Sequence, residues 1–279
     1  MTVVTRFAPS PTGQLHLGHA WSAVQSHDLA RAAGGRFHLR IEDIDIVRCR
    51  PVFVDAILDD LAWLGLAHDG AVVVQTERVA GHQAALGQLQ ALGLIYPCVC
   101  TRAEIAASAS APHGRPPVYP GTCRGGRPVI DDGRPVAWRL NVARAAALTG
   151  VLSWRDDDAG TVVADLLGSD AVVARKGLGV AYALAVVVDD AAAGVTHVVR
   201  GRDLFDATHV QRLLQALLGL PTPRYRHHPL VVDPAGRRLA KRTPGATLAD
   251  LRAAGVDGPA LLNELRHGAL PVGFELDAP

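Results

Sequence analysis

At 279 residues, with 49% hydrophobic and 20% charged residues and a formal net charge of +1, the chain has the makeup of a folded globular protein with one large or two modest domains. No apolar run approaches the ~20 residues of a membrane helix, and the N-terminus has no basic segment leading into an apolar stretch, so a cytoplasmic protein is expected. The balanced charge excludes a uniformly basic nucleic-acid binder but leaves room for a local basic patch.

The first element is a β-like segment from Val3 to Phe7. It runs into a Pro/Gly turn and opens onto His16-Leu17-Gly18-His19, after which an alanine-rich helical pattern continues to Ala33. A strand, a small-residue turn and a helix N-terminus together make a place for phosphate, because backbone N–H groups and the helix dipole both face the anion. Gly18 permits close backbone approach, and two imidazoles can donate where negative charge builds up. Arg36 to Ile41 alternates like a strand and ends in Glu42-Asp43-Ile44-Asp45. Pro51 opens a helix through Trp63 that places Asp59 and Asp60 on its outer side, and Glu77 to Leu92 is another amphipathic helix. Strands alternating with helices predict a parallel sheet.

From Pro97 to Gly133 cysteine, proline and glycine become dense, and Ala106 to Pro117 reads as a loose loop. This texture predicts an insertion between two halves of the sheet domain. Val136 to Val142 and Gly160 to Val173 read as strands. Ala181 to Val188 is apolar and precedes Asp189-Asp190. Thr196 to Arg200 is a short buried strand, followed by a helix to Leu218, a strand from Pro229 to Val232, a loop from Pro234 to Thr243, and helices over Leu248 to Ala254 and Pro259 to Gly268. The expected division is 1–96 and 176–245 for the two halves, 97–175 for the insertion and 246–279 for a helical tail.

Of four cysteines, Cys98, Cys100 and Cys123 lie in the insertion and suit a metal better than disulfides, whereas Cys49 reads as a packed thiol. Lys176 and Lys241 are the only lysines in an arginine-rich chain, which suggests positions that need a compact ammonium. Arg224, Arg226, His227, His228, Arg237, Arg238, Lys241 and Arg242 concentrate positive charge, read either as a solvated basic loop region or as a nucleic-acid patch.

Four pieces stand in order: RFAPSPTG with HLGH, RIEDID, GVTHVVRGRDL and RRLAKRT. Together they resemble the catalytic domain of class I glutamyl-type aminoacyl-tRNA synthetases over roughly residues 3 to 245. HLGH resembles the HIGH signature and Arg238 to Arg242 the KMSKS loop, with Ala240 where the family has serine. The resemblance implies a Rossmann-type parallel sheet with an inserted zinc-containing α+β subdomain. It implies an ATP site at His16, Gly18, His19, Leu239 and Lys241, with His16, His19 and Lys241 catalytic and Mg2+ on the phosphates. It implies glutamate binding by Arg6, Phe7, Ala8, Pro9, Ser10, Glu42, Tyr182 and Arg200, with Glu42 holding the α-ammonium. It also implies a structural zinc held by Cys98, Cys100, Tyr119 and Cys123, in which water or His113 could replace Tyr119.

About 36 residues follow Thr243, too few for the ~100–200 residues of an anticodon-reading domain. An activation site with so short a tail resembles the glutamyl-Q tRNA(Asp) synthetase family, as does Val186, where discriminating enzymes tend to have asparagine. The implied reaction joins L-glutamate, through its adenylate, to the queuosine base of tRNA(Asp), carried out by a monomer without membrane contact. A truncated glutamyl-tRNA synthetase charging a 3′ end, a non-catalytic glutamate- or tRNA-binding paralogue, and a small-molecule nucleotidyl transferase are the other readings.

Overall fold

The computed structural model describes residues 2–108, 119–126, 135–166, 168–239 and 247–277. In chain order the first elements are β1 (Val4–Phe7), α1 (Leu17–Ala32), β2 (Arg36–Ile41), α2 (Pro51–Leu64), β3 (Val73–Val74) and α3 (Val79–Ala91). Next come β4 (Ile95–Cys98), α4 (Arg102–Ser108), β5 (Ala137–Leu140), α5 (Val142–Thr149), β6 (Ser153–Asp156), β7 (Gly160–Val163), β8 (Val172–Arg175) and β9 (Gly179–Val180). The chain continues with α6 (Tyr182–Ala192), β10 (His197–Gly201), α7 (Ala207–Leu217), β11 (Arg224–His228), β12 (Val231–Val232), α8 (Leu248–Ala253), α9 (Gly258–Arg266) and β13 (Glu275–Leu276).

Two parallel groups of strands meet at β1. On one side β1 pairs with β2, Val4 opposite Arg36 and Phe7 opposite Leu39, and β2 pairs with β3. On the other side Thr196, just before β10, donates its backbone N–H to Val4 O at 2.9 Å and its Oγ1 accepts from Val4 N at 2.8 Å. β10 then runs parallel to β11, and β11 meets β6 in parallel at Tyr225 and Asp156. From β1 and β10 the chain leaves toward opposite edges, which makes a crevice at the strand C-termini, where α/β sheets bind ligands. The strands β4, β5, β8 and β9 form a separate antiparallel sheet.

Local sequence explains the main boundaries. Pro51 starts α2, where its missing N–H costs nothing. Gly65 ends it at φ 78°, a left-handed cap closed by Gly65 N to Ala62 O and Leu66 N to Leu61 O. Thr247 caps α8 by accepting from Asp250 N, and Leu248 N donates to Leu15 O, which fixes the tail beside the His16 turn. One core packs Leu17, Phe37, Leu39, Ile41, Ile57 and Leu64 with Leu261 and Leu265 of α9; a second packs Leu89, Leu94 and Leu140 with Leu184, Leu213 and Leu214. Each such side chain contributes roughly 1.5–3 kcal/mol when fully buried.

Several expectations are corrected. The strand read over Val136 to Val142 ends at Leu140, because Asn141 caps α5 by accepting from Arg144 N. Gly160 to Val173 is two strands from different sheets. The helix read from Glu77 begins as a 3-10 turn over Gln75–Arg78. Ala106 to Ser108, read as loop, lie within α4, and the rest of that loop falls outside the described residues. Asp60 faces inward: it is buried and accepts from Arg252 Nη2 at 2.7 Å, which joins α2 to α8. Arg224 to His228 are not a solvated loop but the inner strand β11, with Tyr225, His227 and His228 buried. Among the described residues no helix is long and apolar enough to cross a membrane.

Candidate active site

A cavity of about 560 Å³ occupies the crevice between β1 and β10. Arg6, Phe7, Ala8, Pro9, Ser10, Glu42, Tyr182 and Arg200 line it, as do His16, Gly18, His19 and Leu239. Of the residues expected to bind glutamate or ATP, only Lys241 is not among them; it lies outside the described residues, as do Ala240, Arg242 and His113.

His16 is the N-cap of α1. Its Nδ1 accepts from Gly18 N at 3.2 Å, while His19 Nδ1 accepts from His16 N at 3.1 Å, and the two rings sit 3.8 Å apart. Because both Nδ1 atoms accept, both ring protons sit on Nε2, and each imidazole offers Nε2–H as a donor. A Cβ at position 18 would meet His16 Cε1 at 3.1 Å, so glycine is what lets the His16 ring fold back over the turn.

Beneath the pocket is a buried ionic chain. Asp190 Oδ1 accepts from Arg6 Nε at 3.0 Å and from Arg40 Nη1 at 2.6 Å, and Arg40 Nη2 donates to Glu42 Oε1 at 3.0 Å. Arg6 Nη1 also donates to Val199 O. Arg6 is thus held in a buried salt bridge. Burial by itself would raise the Asp190 carboxyl, but Arg40 and Arg6 outweigh it and hold that group below its ordinary value. At Glu42 burial wins over Arg40, and the carboxyl stays above its ordinary value. Tyr182 opens α6, and burial, reinforced by the Glu42 charge, pushes its hydroxyl up, so it remains a donor.

Arg200 ends the buried part of β10. Its Nε donates to His227 Nε2 at 3.1 Å, and its Nη2 donates to Thr208 Oγ1 at 2.7 Å, Gln211 Oε1 at 2.8 Å and Leu204 O at 3.3 Å. His227 Nδ1 in turn lies 2.7 Å from Asp156 Oδ2. Arg238 pairs with Asp203 at 2.6 Å on the cavity rim.

The three insertion cysteines gather as buried thiols whose sulfurs all lie within 4.8 Å of one another. The Tyr119 hydroxyl is 3.5 Å from Cys98 Sγ and accepts from Cys123 N at 2.8 Å. Arg139 supports the group: its Nε is 3.3 Å from Cys98 Sγ and its Cζ sits 3.8 Å over the Tyr119 ring. Lys176 Nζ donates to Val99 O at 2.6 Å and Cys100 O at 3.0 Å, a use for a compact ammonium. Burial raises the Cys123 thiol, but the Tyr119 hydroxyl and the Val99 backbone overcome this and leave it at about 7, whereas burial and Cys123 push Cys100 up to about 11. Such a soft, closed donor set is chemically suited to a divalent metal. Cys49 is a half-buried thiol that does not belong to this cluster.

Arg40, Asp190, Asp156, His227, Thr208 and Gln211 were not singled out as site residues from sequence. Arg40 opens RIEDID itself and Asp190 follows the apolar run from Ala181 to Val188, and a charged residue inside a strand or just after an apolar run is the signal that could have found them.

The family model for the catalytic domain of class I tRNA synthetases (E and Q) matches residues 2–271. The chain is 48% identical to a glutamyl-Q tRNA(Asp) synthetase of Rhodobacter capsulatus, over 94% of this chain and 99% of the relative. It is 46% identical to one of Burkholderia mallei, over 98% of this chain and 89% of the relative. Among solved structures it is similar to a glutamate-tRNA synthetase of Elizabethkingia anophelis, with a TM-score of 0.72 and 26% identity, over 92% of this chain and 54% of that one, so it spans about half that enzyme. With the parallel sheet, its switch-point cavity and these relatives in agreement, the chain is a ligase that belongs to the class I glutamyl-type tRNA synthetases, in the glutamyl-Q tRNA(Asp) synthetase family.

Proposed function

We propose that the protein activates L-glutamate with ATP and transfers it to the queuosine base of tRNA(Asp). The observation that carries the activation step is the unequal compensation of the two buried carboxylates. Asp190 already has two guanidinium partners, whereas among the described residues Glu42 has one direct ion pair, with Arg40, and burial keeps its carboxyl raised despite Arg40 and the more distant Arg6 charge. A ligand ammonium beside Glu42 supplies the missing positive charge. Arg200, Arg6 and Tyr182 then face the ligand's carboxylates, and Phe7, Ala8, Pro9 and Ser10 shape the wall of the same cavity. This assignment makes an α-amino dicarboxylic acid the fitting substrate.

In the first step a glutamate carboxylate oxygen attacks the α-phosphorus of ATP, the bond to the β-phosphate breaks, and pyrophosphate leaves. His16 and His19 donate Nε2–H to phosphate oxygens, the N-terminus of α1 at Gly18 adds its dipole, and Leu239 packs beside the nucleotide. Lys241 supplies an ammonium to the leaving phosphates, and a bound Mg2+ would add charge shielding there. In the second step a hydroxyl of the queuosine cyclopentene ring attacks the glutamyl carbonyl and AMP leaves. The names of the relatives support this acceptor. Cys98, Cys100, Cys123 and Tyr119 would hold one zinc, which when bound would tie the end of β4 to the 119–123 segment of the insertion. We place the enzyme in the cytoplasm with its tRNA, as a monomer.

Glutamate-dependent exchange of pyrophosphate into ATP tests the first step. Transfer of labelled glutamate to tRNA(Asp) with and without queuosine tests the second. Loading of the queuosine-containing tRNA alone is expected, and equal loading of both overturns the acceptor.

A further inference from the structure

The Arg200 guanidinium is held by a chain of contacts that reaches away from the cavity, and one step of that chain works only in one protonation pattern. Arg200 Nε–H is a donor and can be nothing else, so His227 Nε2, 3.1 Å away, must accept. The His227 proton must therefore sit on Nδ1, which faces Asp156 Oδ2 at 2.7 Å. Asp156 is itself fixed: its Oδ1 accepts from the backbone N–H groups of Asp158 and Ala159, both at 3.0 Å. All three side chains are buried, with exposures of 2% for Asp156, 5% for Arg200 and 6% for His227. The Thr208 hydroxyl, 3.3 Å from His227 Nε2, and the 2.7 Å contact from Arg200 Nη2 to Thr208 close the group from the α7 side.

Resting on the reading of Arg200 as a glutamate-binding residue, we infer that Asp156 and His227 form a tautomer lock that positions Arg200 for the substrate carboxylate. With Nδ1–H given to Asp156, Nε2 is a fixed acceptor and the guanidinium plane is set. Were the imidazole to carry its proton on Nε2, two N–H donors would face each other at Arg200 and the guanidinium would have to turn. The lock thus selects the glutamate-binding orientation without touching glutamate, and His227 and Asp156 are positioning residues. His227 is neutral for the same reason: burial, then the Arg200 charge, depress it to about 4.

Substitutions at two positions separate this from simple packing. In Asp156→Asn, Oδ1 remains committed to Asp158 N and Ala159 N, so the amide must turn its NH2 toward His227 Nδ1. That forces the proton onto Nε2 and inverts the lock while the imidazole stays in place. In His227→Gln, the side-chain amide oxygen can reach the position of Nε2 and accept from Arg200; in His227→Ala nothing can. Steady-state pyrophosphate exchange on the full chain, with KM measured separately for glutamate and ATP and thermal midpoints taken alongside, reads all three. Asp156→Asn and His227→Ala are expected to raise the glutamate KM at least tenfold with the ATP KM within twofold. His227→Gln is expected to stay within about threefold of the unaltered protein. A parallel rise in both KM values, a Gln variant no better than Ala, or an Asp156→Asn variant with an unchanged glutamate KM overturns the lock. If His227→Ala does not fold, the Asp156→Asn and His227→Gln pair decides alone. An unaltered protein without glutamate-dependent exchange overturns the underlying reading of the pocket, and the lock with it.

Discussion

Arg6 and Arg40 converge on one oxygen, Oδ1 of Asp190, from two neighbouring strands, at 3.0 and 2.6 Å. Neither guanidinium can be left in that interior without an anion: Asp190 is the carboxylate they share, and Arg40 has Glu42 besides. Asp190→Asn is therefore expected to destabilise the fold by about 3–5 kcal/mol, the range for breaking a buried ion pair from one side. Urea unfolding measures it. A loss under about 1 kcal/mol would mean that the two arginines find other partners.

Glu42 sets the expected pH dependence of glutamate binding. Its carboxyl is raised by burial, so it takes up a proton at a higher pH than a free glutamate does. The protonated form no longer attracts an ammonium, so the glutamate KM should rise on acidification through that raised value. Glu42→Gln removes the charge at every pH. Its glutamate KM is expected to be on the order of 10²-fold higher near neutrality, the worth of one charge-assisted contact, and to change little with pH. Convergence of the two KM curves at low pH is the outcome that supports the assignment, and parallel curves exclude it.

These two carboxylates also mark how far the sequence could be read. RFAPSPTG, HLGH and RIEDID lie on strand ends and helix starts, so local pattern placed Arg6, His16, His19 and Glu42 without any tertiary information. Asp190 and Arg40 meet across 150 residues, a relation that no local pattern carries. Arg224 to His228 show the opposite failure. Five residues with two arginines and two histidines look solvated, yet Tyr225, His227 and His228 are buried and the arginines lie on the outer part of the strand, where Arg224 pairs with Asp157. Burial there is set by the flanking strands β10 and β6, not by composition.

For the cysteine cluster, the expected consequence of losing a ligand is structural. Cys98→Ser should abolish stoichiometric zinc in the purified protein and lower its thermal midpoint, because the site joins segments before and after the middle of the insertion. Activation should fall less than stability, since the pocket residues belong to other strands. Zinc content by elemental analysis and melting with and without a chelator measure this. A variant that keeps its midpoint but loses activation would place the metal in the chemistry instead.

Lys241 is assigned from sequence alone, so its test must separate chemistry from folding. If it neutralises the departing pyrophosphate, Lys241→Ala should slow exchange on the order of 10²-fold, comparable to removing one preorganised transition-state donor. The thermal midpoint should stay within a degree or two. Lys241→Arg should recover only part of the rate, because a planar fork does not replace a compact ammonium on phosphate. An unchanged exchange rate in the alanine variant would move the role to another residue of the loop.

Asp60 carries the last expectation, and its sign follows from linkage. The group is buried, Arg252 satisfies Oδ1, and Oδ2 has no partner among the described residues, so burial outweighs Arg252 and raises the carboxyl to about 6. The unfolded chain titrates near 3.8. Between those values the folded state binds the proton and the unfolded state does not, so raising the pH from about 4 to about 6 costs stability, and the full cost persists above 6. Asp60→Asn matches the protonated form in shape and cannot ionise. Relative to the unaltered protein it should be most favourable above pH 6, and the advantage should shrink to nothing below pH 4. The depressed histidines His227, His228 and His197 act in the opposite direction over nearby pH, but they are common to both proteins and cancel in the difference. Urea midpoints at pH 7.5 and pH 4 suffice. A variant less stable than the unaltered protein at pH 7.5, with the deficit gone at pH 4, would show that the Arg252 pair outweighs the burial of Asp60 and that the ionised carboxylate holds α2 to α8.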